Sequence, residues 1–266
     1  RKRHCATPKF AVIGYGKLGG KERGYVSDLD LVYLYDDPDP DAEENYARLG
    51  QRLNTWLSSQ TSAGILFETD LRLRPNGDSG LLAVSVDSFR DYQLDKAWVW
   101  EHQALTRARF CAGDPAVGAR FEEIRREILC RQRDLAKLKE EVVAMRRKMY
   151  DAHASKSETL FDLKHDPGGI IDVEFIVQYL VLGHAHQHQR LTGNLGNIAL
   201  LRIAAELRLI PADQAEAAGD AYREYRRLQH AKRLSANPKG YSERESIEKY
   251  IAAVNMLWTT VFGEET

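Results

Sequence analysis

Two aspartates flank a leucine at the start of an apolar run. Asp28 and Asp30 stand at the beginning of the stretch Leu29 to Tyr35, whose apolar and aromatic content predicts a strand. Residues i and i+2 of a strand point to the same face, with about 6 to 7 Å between their Cα atoms. Like charges so placed raise each other's pKa unless a cation such as Mg²⁺ neutralises them. The pair therefore predicts a divalent-metal site, and the structural alternative is a strand cap at Asp28 with a surface ion pair at Asp30.

A third acid and two arginines follow further along the chain. The stretch GILFETDLRLRP, from Gly64 to Pro75, alternates in hydrophobicity and predicts another strand. Asp70, Arg72 and Arg74 share one face of that strand. Together with Lys17, the two guanidinium groups and two Mg²⁺ ions largely offset three carboxylates and a nucleoside triphosphate. The set predicts a two-metal nucleotide site, with ion pairs between the arginines and surface acids as the alternative.

A glycine-rich turn precedes the acids. Phe10 to Ile13 predicts a strand, and the stretch Gly14 to Gly19 after it has the G-x-G-x-x-G spacing of dinucleotide-binding turns. Only about eight residues separate this turn from Asp28, a tight fit for the crossover helix between parallel strands. Asp36 stands where a ribose-binding acid could lie, so the dinucleotide fold stays an alternative. We favour a turn that binds phosphates beside the acids.

The strands and helices fall into two parts of the sequence. Helical periodicity runs from Tyr46 to Leu57, and from about Asp87 helical patterns continue almost to the C-terminus. Between them LLAVSV, from Leu81 to Val86, predicts a hairpin partner for the preceding strand and is the last predicted strand. We therefore expect an α+β fold, with a mixed-sheet domain over residues 1–113 and an all-helical domain over residues 114–266.

Composition excludes several classes of protein. The 266 residues are 43% apolar, and 38 basic side chains nearly balance 39 acidic ones. This balance favours a folded domain over a protein that binds nucleic acid or a membrane surface. Three cysteines without a C-x-x-C spacing argue against a zinc site or a disulfide framework. We expect a cytoplasmic protein with neither nucleic acid nor membrane as partner.

Four motifs resemble one enzyme family. GYGKLGGKERGYVSDLDL, FETDLRLRPNGDSG, WEHQALTRAR and GGIIDVEFIVQYLVL are together similar to glutamine synthetase adenylyltransferase, within the polymerase β-like nucleotidyltransferase superfamily. The similarity runs from about Phe10 almost to the C-terminus. The family has two homologous halves, one that attaches AMP and one that removes it, and FAVIGYGKLGG, TSAGILFET and EHQAL are more similar to the attaching, C-terminal half. Arg23 stands where the resemblance implies an apolar residue.

The resemblance implies a reaction, its cofactors and its site residues. The reaction is transfer of AMP from ATP to a tyrosine of glutamine synthetase, with release of pyrophosphate, in the regulation of nitrogen metabolism. Two Mg²⁺ ions, replaceable by Mn²⁺, are implied, as is a PII-type signalling protein acting through the full-length chain. Asp28 and Asp30 would bridge both metals, and Asp70 would complete the one that binds the attacking oxygen. The implied nucleotide- and phosphate-binding residues are Gly16, Lys17, Ser27, Arg72 and Arg74.

Two other functions and several weaker candidates stay open. The AMP-removing activity would use the same scaffold, and a nucleotide-sensing module would bind without catalysis. Glu174 and Gln178 share one face of a predicted helix and could close a nucleotide site. We interpret Arg107 and Arg109 as a solvated face, with the edge of a cleft as the alternative. We interpret the tryptophans around Trp98 as core.

Overall fold

The chain divides into two compact units. The computed structural model describes residues 5–24, 27–153, 155, 157–235 and 240–263. The first unit ends at Leu129 and the second begins at Cys130. This division lies one helix later than the boundary predicted after residue 113, because the helix Pro115–Leu129 buries its apolar side in the core of the first unit.

The first unit contains a mixed sheet, as expected for an α+β fold. The strands of the mixed sheet are β1 (Phe10–Gly14), β2 (Leu29–Tyr35), β5 (Thr69–Asp70), β6 (Ala83–Ser85) and β7 (Arg109–Gly113). A separate two-stranded sheet consists of β3 (Gln60–Thr61) and β4 (Gly64–Ile65). The helices of the first unit are α1 (Gly16–Gly19), α2 (Ala42–Ser58), α3 (Val86–Asp95), α4 (Val99–Leu105) and α5 (Pro115–Leu129).

The direction of the first two strands rules out the dinucleotide alternative. β1 pairs antiparallel with β2 and, on its other side, antiparallel with β7. A dinucleotide-binding βαβ unit needs parallel strands and a crossover helix, whereas α1 has only four residues. The glycine spacing therefore belongs to a tight turn between antiparallel neighbours. β7 is a strand that the helical pattern of its surroundings concealed.

β5 and β6 form one interrupted neighbour of β2. Both pair with β2 in parallel: Asp30 is in register with Asp70, and Tyr33 with Ala83. From the first of these paired positions to the second, β2 has three residue steps, whereas its neighbour has thirteen. The additional ten residues cannot pair with β2, so the chain between Asp70 and Ala83 forms a loop. We call residues 71–82 the excursion loop.

Two sequence predictions about this region are wrong. The predicted strand Gly64 to Pro75 is broken into β4 and β5, which pair with β3 and β2 respectively. β5 ends at Asp70, where the carboxylate accepts a hydrogen bond from the backbone N–H of Arg72 and turns the chain. Asp70, Arg72 and Arg74 therefore do not share a strand face. The stretch from Leu81 to Val86 forms no hairpin with the preceding strand, since its ladder is made with β2.

β2 is covered on both faces, which explains its apolar sequence. One face, with Leu31 and Tyr33, packs in a core cluster with α2. The other face, with Val32 and Leu34, packs in a second cluster with α3 and α5. Asp30 lies at the N-terminal end of this second face, because it is two residues before Val32. The sheet thus carries Asp30 to the edge of a packed core.

The tryptophans at the start of α4 are not core residues. Trp98 is 70% exposed and Trp100 is 38% exposed, so their prediction as core is wrong. Glu101 is buried instead, and its carboxylate accepts hydrogen bonds from the Trp98 backbone N–H (3.1 Å) and the Tyr92 hydroxyl (3.2 Å). This bond to the start of the helix turns the acid inward and leaves both indoles outside.

The second unit is helical, with one short ladder that the sequence did not predict. The ladder joins β8 (Leu160–Asp162) to β9 (Tyr241–Glu243). No helix within the described ranges is long and apolar enough to cross a membrane. The helices are α6 (Leu135–His153), α7 (Ile170–His184), α8 (Asn197–Glu206), α9 (Ala212–Leu234) and α10 (Arg244–Phe262).

Two acidic residues near the start of α7 bind neighbouring elements of the second unit. Asp172 is 4% exposed, forms an ion pair with Arg146 of α6, and accepts a hydrogen bond from the Gly168 N–H at 2.6 Å. Glu174 accepts a hydrogen bond from the Tyr222 hydroxyl of α9 at 3.4 Å. These contacts join α7 to its neighbouring helices. They assign both acids to packing within the second unit.

Candidate active site

The structure places the predicted acids at one end of β2. Asp30 is the second residue of β2 and lies in register with Asp70, the last residue of β5. Neighbouring strands are about 4.8 Å apart. Asp28 is exposed and immediately precedes β2. Burial raises the pKa of Asp30, and the charges of Asp70 and Asp28 raise it further. The three carboxylates therefore lie close enough to interact, with Asp30 half-buried among them.

The glycine turn packs directly against Asp30. The Tyr15 N–H donates to the Asp30 backbone oxygen at 2.9 Å. Gly16 has φ +51°, and a Cβ added there would lie 2.1 Å from Asp30 Oδ2. Only glycine accepts both this backbone conformation and this close approach. Lys17 follows, and its charge acts with that of Arg107 to lower the pKa of Asp30.

Two arginines from the end of α4 and the start of β7 hold this turn. Arg109 donates from Nη2 to the Leu18 carbonyl at 3.1 Å and from Nε to the Gly19 carbonyl at 3.0 Å. Arg107 donates to Glu22 at 2.7 Å, and these two side chains are only 11% and 18% exposed. The solvated-face interpretation of both arginines is therefore wrong. No local pattern predicts the contact, because Arg107 and Glu22 are 85 residues apart in sequence.

Ser27 and Arg23 complete the loop that leads to the acids. Ser27 is buried, and its Oγ accepts a hydrogen bond from the Gly24 N–H at 3.2 Å. The Arg23 guanidinium lies over the Phe67 ring, 4.5 Å from its centroid. This cation–π contact explains how a charged residue fits where the resemblance implies an apolar one. The first contact joins Ser27 to Gly24, and the second holds Arg23 against Phe67.

The two arginines of the excursion loop have different surroundings. Arg72 donates to both oxygens of Asp70, and this ion pair holds the pKa of the Asp70 carboxyl below its usual value. Arg74 donates instead to three backbone carbonyls, those of Leu71, Asp78 and Gly80, at 2.7 to 3.3 Å. Arg72 therefore belongs to the acidic site, whereas Arg74 braces the loop.

The site residues fit a magnesium ion, although they do not form a ready-made cage. Across the described residues, no three acid, histidine or cysteine side chains are gathered closely enough to hold a metal. In addition, Arg72 donates to both oxygens of Asp70. The donor set is nonetheless carboxylate oxygen, which Mg²⁺ prefers. A half-buried carboxylate beside two like charges is also a group that a cation would stabilise.

Comparison with known proteins assigns this site to a family. Residues 1–124 match the family model described as glutamate-ammonia ligase adenylyltransferase. The bifunctional glutamine synthetase adenylyltransferase/adenylyl-removing enzyme of Aromatoleum aromaticum is 66% identical over 264 residues, which is 98% of this chain. The chain belongs to the glutamate-ammonia ligase adenylyltransferase family. The mixed sheet and the helical second unit agree with the fold that the sequence predicts for this family.

Further relatives of this adenylyltransferase-family chain bear the same name. The enzyme of Nitrosomonas eutropha is 58% identical over 99% of this chain, and that of Chromobacterium violaceum is 58% identical over 98%. The chain spans only 28 to 30% of the length of these three relatives. Residues 135–240 also match the model described as GlnD PII-uridylyltransferase, so the second unit resembles a part of that protein too.

Removal of the Arg109 guanidinium is expected to loosen the glycine turn. Arg109→Met loses two charge-assisted hydrogen bonds to backbone carbonyls, and we expect it to lower the free energy of unfolding by about 1.5 to 3 kcal/mol. Urea denaturation measures this loss. Arg90→Met is the matched control, because its solvent-exposed pair with Glu127 contributes little to stability. Equal losses in the two variants would contradict the proposed role of Arg109.

Proposed function

We propose that this chain transfers AMP from ATP to a tyrosine hydroxyl of glutamine synthetase and releases pyrophosphate. The observation that carries the proposal is the position of Asp30, between the glycine turn at Gly16 and the carboxylates of Asp28 and Asp70. The names of the relatives support the substrate protein. The motifs near Gly14, Gly64 and Glu101 support the AMP-attaching half of the family over the AMP-removing half.

The carboxylates are proposed to hold two divalent cations. Asp28 and Asp30 would contact both ions, and Asp70 would complete the one nearer the acceptor oxygen. Bound Mg²⁺ ions would lower the pKa of the acceptor hydroxyl and stabilise negative charge on the transferred phosphate and on pyrophosphate. Asp30 is suited to the central position, because it is half-buried and lies beside two other carboxylates. Both features disfavour its ionised form unless a cation neutralises the charge.

The glycine turn and one arginine are proposed to bind the triphosphate. Gly16 lets the backbone approach closely, and Lys17 adds a positive charge next to Asp30. Arg72 can grip phosphate oxygens through its planar fork. Ser27 and Arg74 support the flanking loops through the backbone contacts that they already make, so we propose no phosphate contact for them.

A regulatory partner is proposed for the second unit. The match of residues 135–240 to a PII-uridylyltransferase model supports a PII-type signalling protein as a regulator of the full-length enzyme.

Labelled ATP tests the function directly. The chain is incubated with glutamine synthetase, Mg²⁺ and ATP labelled at the α-phosphate, with γ-labelled ATP as the matched control. We expect label on glutamine synthetase from the α-position only, release of pyrophosphate, and loss of both signals with EDTA. Absence of α-label would overturn the AMP-attaching function. Phosphate-dependent release of the AMP group as ADP from previously adenylylated glutamine synthetase would favour the AMP-removing activity, and ATP binding without turnover would favour a sensor.

A further inference from the structure

Asp70, the third carboxylate of the proposed metal site, already forms an ion pair with Arg72. Arg72 Nε lies 3.1 and 3.0 Å from the two oxygens of Asp70, and Arg72 Nη2 lies 2.5 Å from Oδ2. Arg72 also donates its backbone N–H to Oδ1 at 2.8 Å. One residue therefore occupies both oxygens that a divalent ion would need.

The two partners differ in freedom to move. The Arg72 side chain is 74% exposed, whereas the Asp70 side chain is 19% exposed and is fixed at the end of β5. The guanidinium can therefore exchange Asp70 for water or for another anion at little cost in free energy, because the arginine side of the pair is largely open to solvent. The guanidinium can leave the Asp70 oxygens while the backbone N–H of Arg72 stays bound to Oδ1, so the end of β5 need not change.

Arg74, the other arginine of the excursion loop, is held in place much more firmly than Arg72. Arg74 is 12% exposed and holds three carbonyls of the excursion loop, so its departure would break three hydrogen bonds at once. Of the two loop arginines, Arg72 is the one whose contacts permit exchange between ligands.

We propose that Arg72 is a displaceable counterion that couples triphosphate binding to metal binding. Without nucleotide, its guanidinium fills the metal-binding oxygens of Asp70. A triphosphate draws the guanidinium onto phosphate oxygens, which suit the same fork geometry, and Asp70 becomes available to a divalent ion. The proposal rests on the proposed function. By thermodynamic reciprocity, the metal then improves triphosphate binding by the same factor.

Mn²⁺ binding to the complete chain in the absence of nucleotide tests the proposal without any activity assay. Electron paramagnetic resonance of free Mn²⁺ gives the dissociation constant. We expect Arg72→Gln to tighten Mn²⁺ binding by about 2- to 5-fold, since the competing cation is gone. Arg72→Lys, which keeps the charge but loses the fork, is expected to lie between wild type and Arg72→Gln. Arg90→Gln, which removes a similar exposed fork from Glu127, is the control and is expected to change nothing.

The nucleotide dependence supplies the second measurement. Saturating α,β-methylene-ATP is expected to tighten Mn²⁺ binding to wild type by a larger factor than to Arg72→Gln. Unchanged or weaker Mn²⁺ binding in Arg72→Gln, or an equal nucleotide effect in both proteins, would overturn the coupling proposal alone, provided that Asp30→Asn abolishes Mn²⁺ binding. If Mn²⁺ binding does not depend on Asp30, the proposed metal site fails and the coupling proposal fails with it.

Discussion

Asp30→Asn is expected to lower Mg²⁺-dependent transfer of AMP by about a thousandfold or more, with the fold intact. Asparagine is nearly isosteric but cannot supply the charge that holds a divalent ion, and such ions contribute several kcal/mol of transition-state stabilisation. The measurement is incorporation of α-label into glutamine synthetase at saturating ATP. Asp36→Asn is the control, because Asp36 follows the opposite end of β2 and pairs with Arg120 on the surface. Substantial transfer by Asp30→Asn would contradict the site.

The same variant is expected to melt at a higher temperature than wild type at neutral pH. Burial, Asp70 and Asp28 raise the folded-state pKa of Asp30 above its ordinary value of 3.8. The folded state therefore binds the carboxyl proton of Asp30 more tightly than the unfolded state does. Protonated Asp30 stabilises the fold relative to the ionised form, and this stabilisation is lost as pH rises through the raised pKa. Asparagine has no such loss. The gain in melting temperature should accordingly be largest at neutral pH and shrink toward pH 4, and an unchanged difference across that range would contradict this account.

Gly16→Ala is expected to reduce transfer by about a hundredfold. The new Cβ would lie 2.1 Å from Asp30 Oδ2, so either the carboxylate or the turn must move. Misplacement of a catalytic group by about 1 Å costs roughly this factor. The left-handed backbone at φ +51° adds a stability cost of about 1 kcal/mol. Transfer assays and thermal melts of the same preparation separate the two effects.

Gly77→Ala is the matched control for this substitution. Gly77 has φ +56°, nearly the value of Gly16, but a Cβ added there would meet only the Arg72 carbonyl oxygen at 3.6 Å, an ordinary contact. The backbone cost is therefore similar and the clash is absent. We expect Gly77→Ala to lose similar stability and to keep most of its activity. Equal loss of transfer in both variants would mean that backbone strain, not the position of Asp30, explains the effect.

Local patterns predicted the strand that carries Asp30 and begins directly after Asp28. The apolar run after Asp28 gave the bounds of β2 correctly, since a strand covered on both faces is apolar throughout. β1 was found for the same reason, one residue short of its end at Gly14. The helix α2 was found from the spacing of its apolar residues, although Trp56 of that pattern is 68% exposed.

Long-range pairing explains what the sequence did not predict. β5 has only two residues and no periodicity of its own. β6 lies within the predicted strand from Leu81 to Val86, but its partner is β2, and both β5 and β6 depend on β2 for their register. Arg107 meets Glu22 across 85 positions of sequence, and its charge and spacing are those of any surface arginine. The alternation in the stretch around Asp70 favours a long strand, but the hydrogen bond from Arg72 to Asp70 ends it.

The excursion loop leaves the edge of β2 after Asp70 and returns to the same edge at Ala83. Its length is therefore uncoupled from the ladders on either side, and residues can be gained or lost in it without displacing the acids. Insertions and deletions in this loop are therefore compatible with unchanged ladders, as long as Arg72 keeps its place beside Asp70.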